Sequence, residues 1–258
     1  MLPLVSGEFS DALVLRAVDY RDADRIVTLL TESHGKVAVL ARSARRSKKR
    51  FGGSLEPYAL IEAEVRLGRG EVGSIAKARV KRSFPAILSD LTRMSVAAVA
   101  LELVREALPE RQPEPEVFAL SMEFLAHLAE MTGPPGAQEQ LLLAFEVRCL
   151  GLLGFAPNLD TCARCGRRAE DGQAALFDPA AGSVICRSCG GGPIKLSGET
   201  RRAMARAISP EWSVAGLQPL ADANRGQLRR AISGLVEDTL GRPLRASGSL
   251  AQILEITG

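Results

Sequence analysis

The sequence predicts an α+β chain of more than one domain, a five-stranded N-terminal β-barrel followed by a helical bundle that carries a four-cysteine ribbon, and three observations predict it. The first third alternates short, partly β-branched apolar runs with turn residues. After Phe84-Pro85 the apolar residues recur at three- and four-residue spacing, and two C-x2-C pairs then interrupt the helical pattern. The chain has 258 residues, 46% of them apolar and 24% charged, a composition that can bury a sizeable core and a length that suits more than one domain. The change of pattern puts the expected boundary between a domain at 1–83 and a domain at 84–258, with the ribbon inserted at about 158–192.

Five strands are expected at Ala12–Val18, Ile26–Leu30, Val37–Leu40, Ala59–Leu67 and Val72–Val80. Ser33-His34-Gly35 and Gly68-Arg69-Gly70 offer tight connections, whereas the third and fourth strands are joined by the long stretch "ARSARRSKKRFGG", read as a loop. Five short strands in about 80 residues with one long loop suit a small barrel of the OB type, an architecture that handles single strands and oligonucleotides. An SH3-like barrel fits the count nearly as well.

Leu88, Leu91, Met94, Ala98, Leu101, Val104 and Leu108 then mark a helix that stops at the prolines 109, 113 and 115. Val117, Leu120, Phe124 and Leu128 stripe a second helix, closed by "TGPPG". A third is expected from about Gln138 to Gly154–Pro157, apolar nearly all round and therefore central to a bundle. Further helices are expected at Gly198–Ile208, Arg225–Leu240 and Ser249–Ile256.

The long loop packs Arg42, Arg45, Arg46, Lys48, Lys49 and Arg50 into nine positions without one acid. Such a run repels itself and stays solvated, which makes it either plain surface or a polyanion contact. Residues 1–83 carry 16 Lys and Arg against 10 Asp and Glu, and residues 84–258 carry 17 against 20, so the positive field is concentrated on the β region and favours nucleic acid as partner. Phe51 and Tyr58 flank the far end of the run, either as stacking platforms for bases or as core. Aromatic residues make up 4% of the chain, so binding should lean on phosphates and be weakly sequence-specific.

Cys162, Cys165, Cys186 and Cys189 form C-x2-C, twenty intervening residues and C-x2-C, the spacing of a four-thiolate zinc ribbon. The pairs can meet on one ion only if the chain between them doubles back, and "AALFDPAAGSVIC" supplies strand, turn and strand. Two disulfides need an oxidising compartment, and a thioredoxin-like site needs a single pair in a βαβ setting. Four thiolates fill the tetrahedron, so the expected ion, one Zn2+, is structural. Cys149 stands apart on an apolar helix and reads as a buried, inert thiol.

The two histidines, His34 and His127, belong to no catalytic pattern, and "LGRGEVG" lacks the lysine and hydroxyl of a phosphate loop. Nothing in the sequence supports hydrolysis or ATP-driven chemistry, and the chain is read as a non-enzyme. The start "MLPLVSGEFSDALVL" has no basic leader and no long apolar run, which places the chain in the cytoplasm.

The stretches "TLLTESHGKVAVLARSARRSKKRFGGSLEPY" at 28–58, "FEVRCLGLLGFAPNLDTCARCG" at 145–166, "VICRSC" at 184–189 and "LGRPLRASGSL" at 240–250, in this order of barrel, cationic loop, bundle, ribbon and terminal helices, give a chain that resembles the bacterial RecO family of recombination mediators throughout its length. The resemblance implies an OB fold that binds ssDNA and dsDNA, with Arg42, Arg45, Arg46, Lys48, Lys49 and Arg50 as contacts. It implies a protein that anneals complementary strands at the bacterial nucleoid, engages single-strand binding protein, and with RecR helps to load RecA. It also implies a dock in the helical domain for that binding protein's acidic, apolar-ended tail, for which Arg105, Arg148, Arg201 and Arg202 are candidate partners. One departure is "RASGSL" at 245–250, where the family often has a further basic residue. The alternative is a zinc-ribbon RNA-binding or transcription-associated module, with the same charge logic and no recombination role.

Overall fold

The computed structural model describes residues 8–68 and 70–257. It divides into two compact units, one made of Met1–Leu88 and Leu108–Ala126, the other of Ser89–Ala107 and His127–Gly258.

In the first unit, strands β1 (Glu8–Tyr20), β2 (Asp24–Thr31), β3 (Gly35–Ala41), β4 (Leu60–Arg66) and β5 (Val72–Arg82) close a barrel in the order β1-β2-β3-β5-β4, with β4 returning to β1. Every neighbouring pair is antiparallel except β3 and β5, which run parallel, as the crossover between β3 and β4 requires. All five expected strands are present, and the closed order is that of the OB barrel rather than a second small-barrel class. Alternation along β3 is complete: Val37, Val39 and Ala41 point into a core shared with Val14, Val27, Leu29 and Ile61. A bulge between Val14 and Arg16 breaks the alternation of β1, so that Val14 faces the core but Arg16, Val18 and Tyr20 face outward.

The connection from β3 to β4 is not a plain loop, as the sequence suggests; it carries one helical turn, α1 (Lys48–Phe51), stopped by Gly52 in the left-handed conformation. Of the expected tight connections, the β2–β3 turn passes through Gly35 at φ +64°, and Arg69 of the β4–β5 turn lies outside the described residues. Gly35 is required twice over, since a Cβ there would stand 1.8 Å from the carbonyl oxygen of Gln112. The segment that begins at Leu108 therefore lies directly on the barrel. The Arg111 amide donates to the Lys36 carbonyl at 2.8 Å, and its guanidinium donates to the carbonyls of Gly68, Gly70 and Glu71.

The helices follow the expected apolar spacing: α2 (Pro85–Leu88), α3 (Leu91–Ala107), α4 (Pro115–Glu130), α5 (Pro135–Leu152), α6 (Gly198–Ile208), α7 (Asp222–Leu240) and α8 (Arg245–Thr257). In the second unit α5 is the axis, buried on all sides as its composition predicts, and packs against α3, α6, α7 and α8. Its two buried acids are treated differently. Glu139 accepts from Arg225 and Arg229 of α7, whereas Glu146 has no such partner among the described residues, and burial followed by the charge of Glu139 pushes its carboxyl up to about 8. Between α5 and α6 lies a small three-stranded sheet, β6 (Ala175–Asp178), β7 (Ser183–Val184) and β8 (Ile194–Leu196), ordered β7-β6-β8. The first two strands are the expected hairpin; β8 is an addition to it. No helix among the described residues is long and apolar enough to cross a membrane.

Candidate nucleic-acid interface and metal centre

The connection from β3 to β4 is pinned to the barrel at several points, and the pinning sorts its cations. The Ser43 amide donates to Asp24 Oδ1 at 2.7 Å and the Arg45 amide to the Ala23 carbonyl at 3.1 Å, which ties the run to the β1–β2 turn. Phe51 is only 3% exposed and sits with Leu55 in the barrel core. The Arg45 guanidinium reaches the Asp22 carbonyl and lies 3.6 Å from Asp19, and Arg50 donates to the Arg42 carbonyl and to Ser47 Oγ while lying over the Phe51 ring. The side chains of Arg42, Arg46 and Lys49 are exposed and, among the described residues, meet no hydrogen-bond or ion-pair partner. The side chain of Lys48 lies outside the described residues.

Elsewhere on the barrel much of the positive charge is paired, with Arg16, Arg21 and Lys77 exposed and without a described ion-pair partner. Arg79 pairs Glu62 at 2.6 Å, Lys81 pairs Asp11 at 2.7 Å, Arg66 pairs Glu64 at 2.8 Å, and Arg25 bridges Asp19 and Glu56. Three of the unit's unpaired cationic side chains, those of Arg42, Arg46 and Lys49, thus lie close together on the long loop.

Neither aromatic residue proposed for stacking is free to do so. Phe51 is core, and half-buried Tyr58, at φ +71°, donates its amide to the Val14 carbonyl and has its phenol pushed up by burial. Sequence reasoning missed Tyr20, which is 38% exposed at the end of β1 with the Arg21 guanidinium 5.1 Å from its ring centre. It lies beside the turn to which the cationic loop is tied. The signal that turns it outward is the bulge, which strict alternation does not reveal.

The four cysteines converge as their spacing predicts: the sulfurs of Cys162, Cys165, Cys186 and Cys189 all lie within 4.8 Å of one another, with Cys165 and Cys186 at 3.7 Å. Each pair forms a knuckle, closed at one end by the Gly166 amide on the Cys162 carbonyl and at the other by the Cys189 and Gly191 amides on the Cys186 carbonyl. Four sulfurs held at about 2.3 Å from one ion in a tetrahedron stand about 3.8 Å apart, so the cluster is of the right size for zinc. The Cys186 amide donating to its sulfur is the leading cause that lowers the Cys162 thiol to about 6, while hydrogen bonding of the Cys189 thiol to Cys186 raises Cys189 to about 12. Packed thiolates repel, and a dication is what allows all four to ionise together. Cys149 is separate and fully buried, its thiol pushed up to about 12 chiefly by that burial, as befits an inert side chain.

The candidate docking arginines mostly hold the fold. Arg105 pairs Glu102 and Glu106, and Arg148 donates to the last carbonyl of α6 at 2.6 Å. Arg201, 5% exposed, donates to the carbonyls of Leu159, Glu170 and Gln173 and so fastens the ribbon to α6. Of the four, only Arg202 is exposed without a described partner.

Comparison with known families agrees with this architecture in both halves. Residues 8–84 match the model of the N-terminal part of Recombination protein O and residues 88–248 that of its C-terminal part. The chain is 39% identical over 250 residues to the DNA repair protein RecO of Anaeromyxobacter sp. strain K, covering 95% of this chain and 96% of that one. It is 37% identical over 246 residues to that of Geobacter sulfurreducens, covering 94% and 97%, and 34% identical over 249 residues to that of Myxococcus xanthus, covering 94% and 96%. With the closed barrel and the four-cysteine cluster already in place, these matches over nearly the whole length establish that the chain belongs to the RecO family of DNA repair proteins.

Proposed function

We propose that the chain is a non-catalytic mediator of recombinational repair, in which the β3–β4 loop binds ssDNA and dsDNA by their phosphates and lets complementary strands anneal. In this reading the part up to 83 binds DNA, and the part from 84 engages single-strand binding protein and, with RecR, helps to load RecA. The observation that carries it is the set of exposed cations Arg42, Arg46 and Lys49, without partners among the described residues, on a loop whose neighbours Ser43 and Arg45 are fastened to the barrel. Such cations displace counterions from phosphates and reduce the repulsion between two strands, so pairing needs no nucleotide hydrolysis. Arg45 and Arg50 contribute charge but chiefly hold the loop in shape.

Cys162, Cys165, Cys186 and Cys189 would hold one zinc ion, which when bound supplies the positive charge that keeps both knuckles together. Its four thiolates leave no position for a reacting water, so the role is structural.

The test is annealing of complementary oligonucleotides by the full-length chain without ATP, on naked strands and on strands coated with single-strand binding protein. Acceleration of both supports the whole reading. No effect on naked strands removes the DNA-binding half of it, and acceleration confined to naked strands removes the mediator half.

A further inference from the structure

In the second unit, α3, α5, α7 and α8 enclose a cavity of about 330 Å³ that neither the proposed DNA contacts nor the metal centre uses. Val99 of α3, Leu142 and Leu143 of α5, and Leu250 and Leu254 of α8 give it aliphatic walls. Glu146 follows Leu142 and Leu143 by four and three residues, so helical geometry puts its carboxyl on the same face of α5, inside the apolar walls. Glu255, next to Leu254, is exposed and stands at the mouth.

Glu146 is 6% exposed, lines this cavity, and meets no hydrogen-bond or ion-pair partner among the described residues. It is unsatisfied in either state, since an ionised carboxylate there is buried without a counter-charge and a neutral one has no acceptor for its proton. Its neighbours do not relieve it. Arg225 and Arg229, the cations that α7 brings, are both spent on Glu139. Glu102 of α3, one turn from Val99, is taken by Arg105 and by the Ala246 amide. Cys149, one turn further along α5, keeps its proton, its thiol being pushed up to about 12 chiefly by burial. Glu255 of α8 adds a second carboxylate without a described partner. Three acids, Glu139, Glu146 and Glu255, thus line the cavity against one cation, Arg229, which disfavours an anion and favours a cation.

We propose that this cavity binds an aliphatic diamine cation, with one ammonium on the Glu146 carboxylate, the methylene chain against Val99, Leu142, Leu143, Leu250 and Leu254, and the second ammonium on Glu255. A primary ammonium brings three hydrogen-bond donors to a buried carboxylate that has none. A divalent metal ion would need six or more oxygens, which these walls do not supply. A quaternary ammonium would call for an aromatic cage, and no aromatic ring lines the cavity. Size agrees, because a cavity of roughly 150 Å³ takes benzene, 1,4-diaminobutane has as many heavy atoms as benzene, and this cavity is larger. Binding also moves a proton. The free Glu146 carboxyl, at about 8, is largely protonated at neutral pH, and the arriving ammonium stabilises the carboxylate, so the displaced proton passes to the buffer. The site is separate from the DNA-binding reading and does not rest on it.

The experiment is calorimetric titration of the full chain with 1,4-diaminobutane at pH 7, without DNA, in two buffers of different ionisation enthalpy. The diamine should bind once per chain and release close to one proton, read from the difference between the buffers. Glu146→Gln keeps the shape of the side chain; it should weaken binding by roughly tenfold or more and abolish the proton release. 1-Aminobutane, which lacks the second ammonium, should bind up to about fivefold more weakly than the diamine. Glu255→Gln should bring the diamine down to the affinity of 1-aminobutane and leave 1-aminobutane unchanged. Methyl chemical shifts of the unaltered protein should move at Leu142, Leu143, Leu250 and Leu254 on diamine addition, which tests the site even where a variant folds poorly. Absence of binding, binding without proton release, full affinity in Glu146→Gln, or shifts confined to other methyls overturns the proposal. Movement of these methyls by a lysine-bearing peptide but not by the diamine assigns the cavity to a protein partner and also overturns it.

Discussion

Replacing Arg42, Arg46 and Lys49 together by alanine removes the three loop cations that meet no partner among the described residues. On single strands each lost phosphate contact lowers the slope of log affinity against log salt by about 0.7, so three should lower it by about 2. At 0.1 M salt, one decade below a 1 M reference, the same three contacts are worth about two decades of affinity, or about 3 kcal/mol. Arg45→Ala with Arg50→Ala removes the same kind of charge from groups already held by Asp19, Asp22 and Ser47. That pair should change the slope by less than half as much and instead lower the melting temperature, since it loosens the loop. Anisotropy titrations of a labelled oligo-dT at a series of salt concentrations measure both slopes. A wild-type slope in the triple variant, or equal flattening in the two, would refute the division of the loop into contacting and supporting cations.

Other outcomes follow from the same geometry. Tyr20→Ala should weaken single strands by about 1–3 kcal/mol for one stacked base with the salt slope unchanged; a changed slope, or an equal loss on duplex, contradicts stacking. Cys186→Ser should bring bound zinc well below one per chain and lower the melting temperature while oligo-dT affinity largely survives, as metal analysis and calorimetry would register. Glu146 should make stability fall with rising pH, because between the ordinary carboxylate range and about 8 the unfolded chain gives up this proton and the folded chain keeps it. The full shift sets a ceiling of about 5 kcal/mol, and Glu146→Gln should remove the slope in denaturant titrations; a wild-type midpoint that is flat across this window contradicts it.

The barrel strands were legible because each is a short apolar run between turn residues, and Gly198–Ile208 was legible to the residue because its apolar positions keep helical spacing. The cysteine cluster was legible because spacing alone restricts how two knuckles can meet. What escaped depends on contacts distant in sequence. Ile194–Leu196 is three residues long and becomes a strand only beside Ala175–Phe177. Tyr20 turns outward because of a bulge whose cause lies in pairing with β2. The six loop cations look alike in sequence, and Asp19 and Asp22, more than twenty residues upstream of Arg45, single that one out. Arg201 reads as a helix-face charge until the ribbon carbonyls are seen to converge on it.

The return of Leu108–Ala126 to the barrel has a consequence for the timing of synthesis. The last barrel strand ends at Arg82, but the unit it belongs to runs on to Ala126, some 44 residues later. At roughly 5–20 residues per second, the ribosome needs roughly 2–9 s to supply the remainder. Until residue 112 is made, roughly 1.5–6 s after Arg82 at that rate, the turn at Gly35 and the β4–β5 turn lack the backbone and the Arg111 guanidinium that later cover them, while the cationic loop has already been made. On the proposed reading of the loop, the nascent chain thus presents its polyanion-binding segment before the unit that carries it is complete, at a moment when the nearest abundant polyanion is the ribosomal RNA itself.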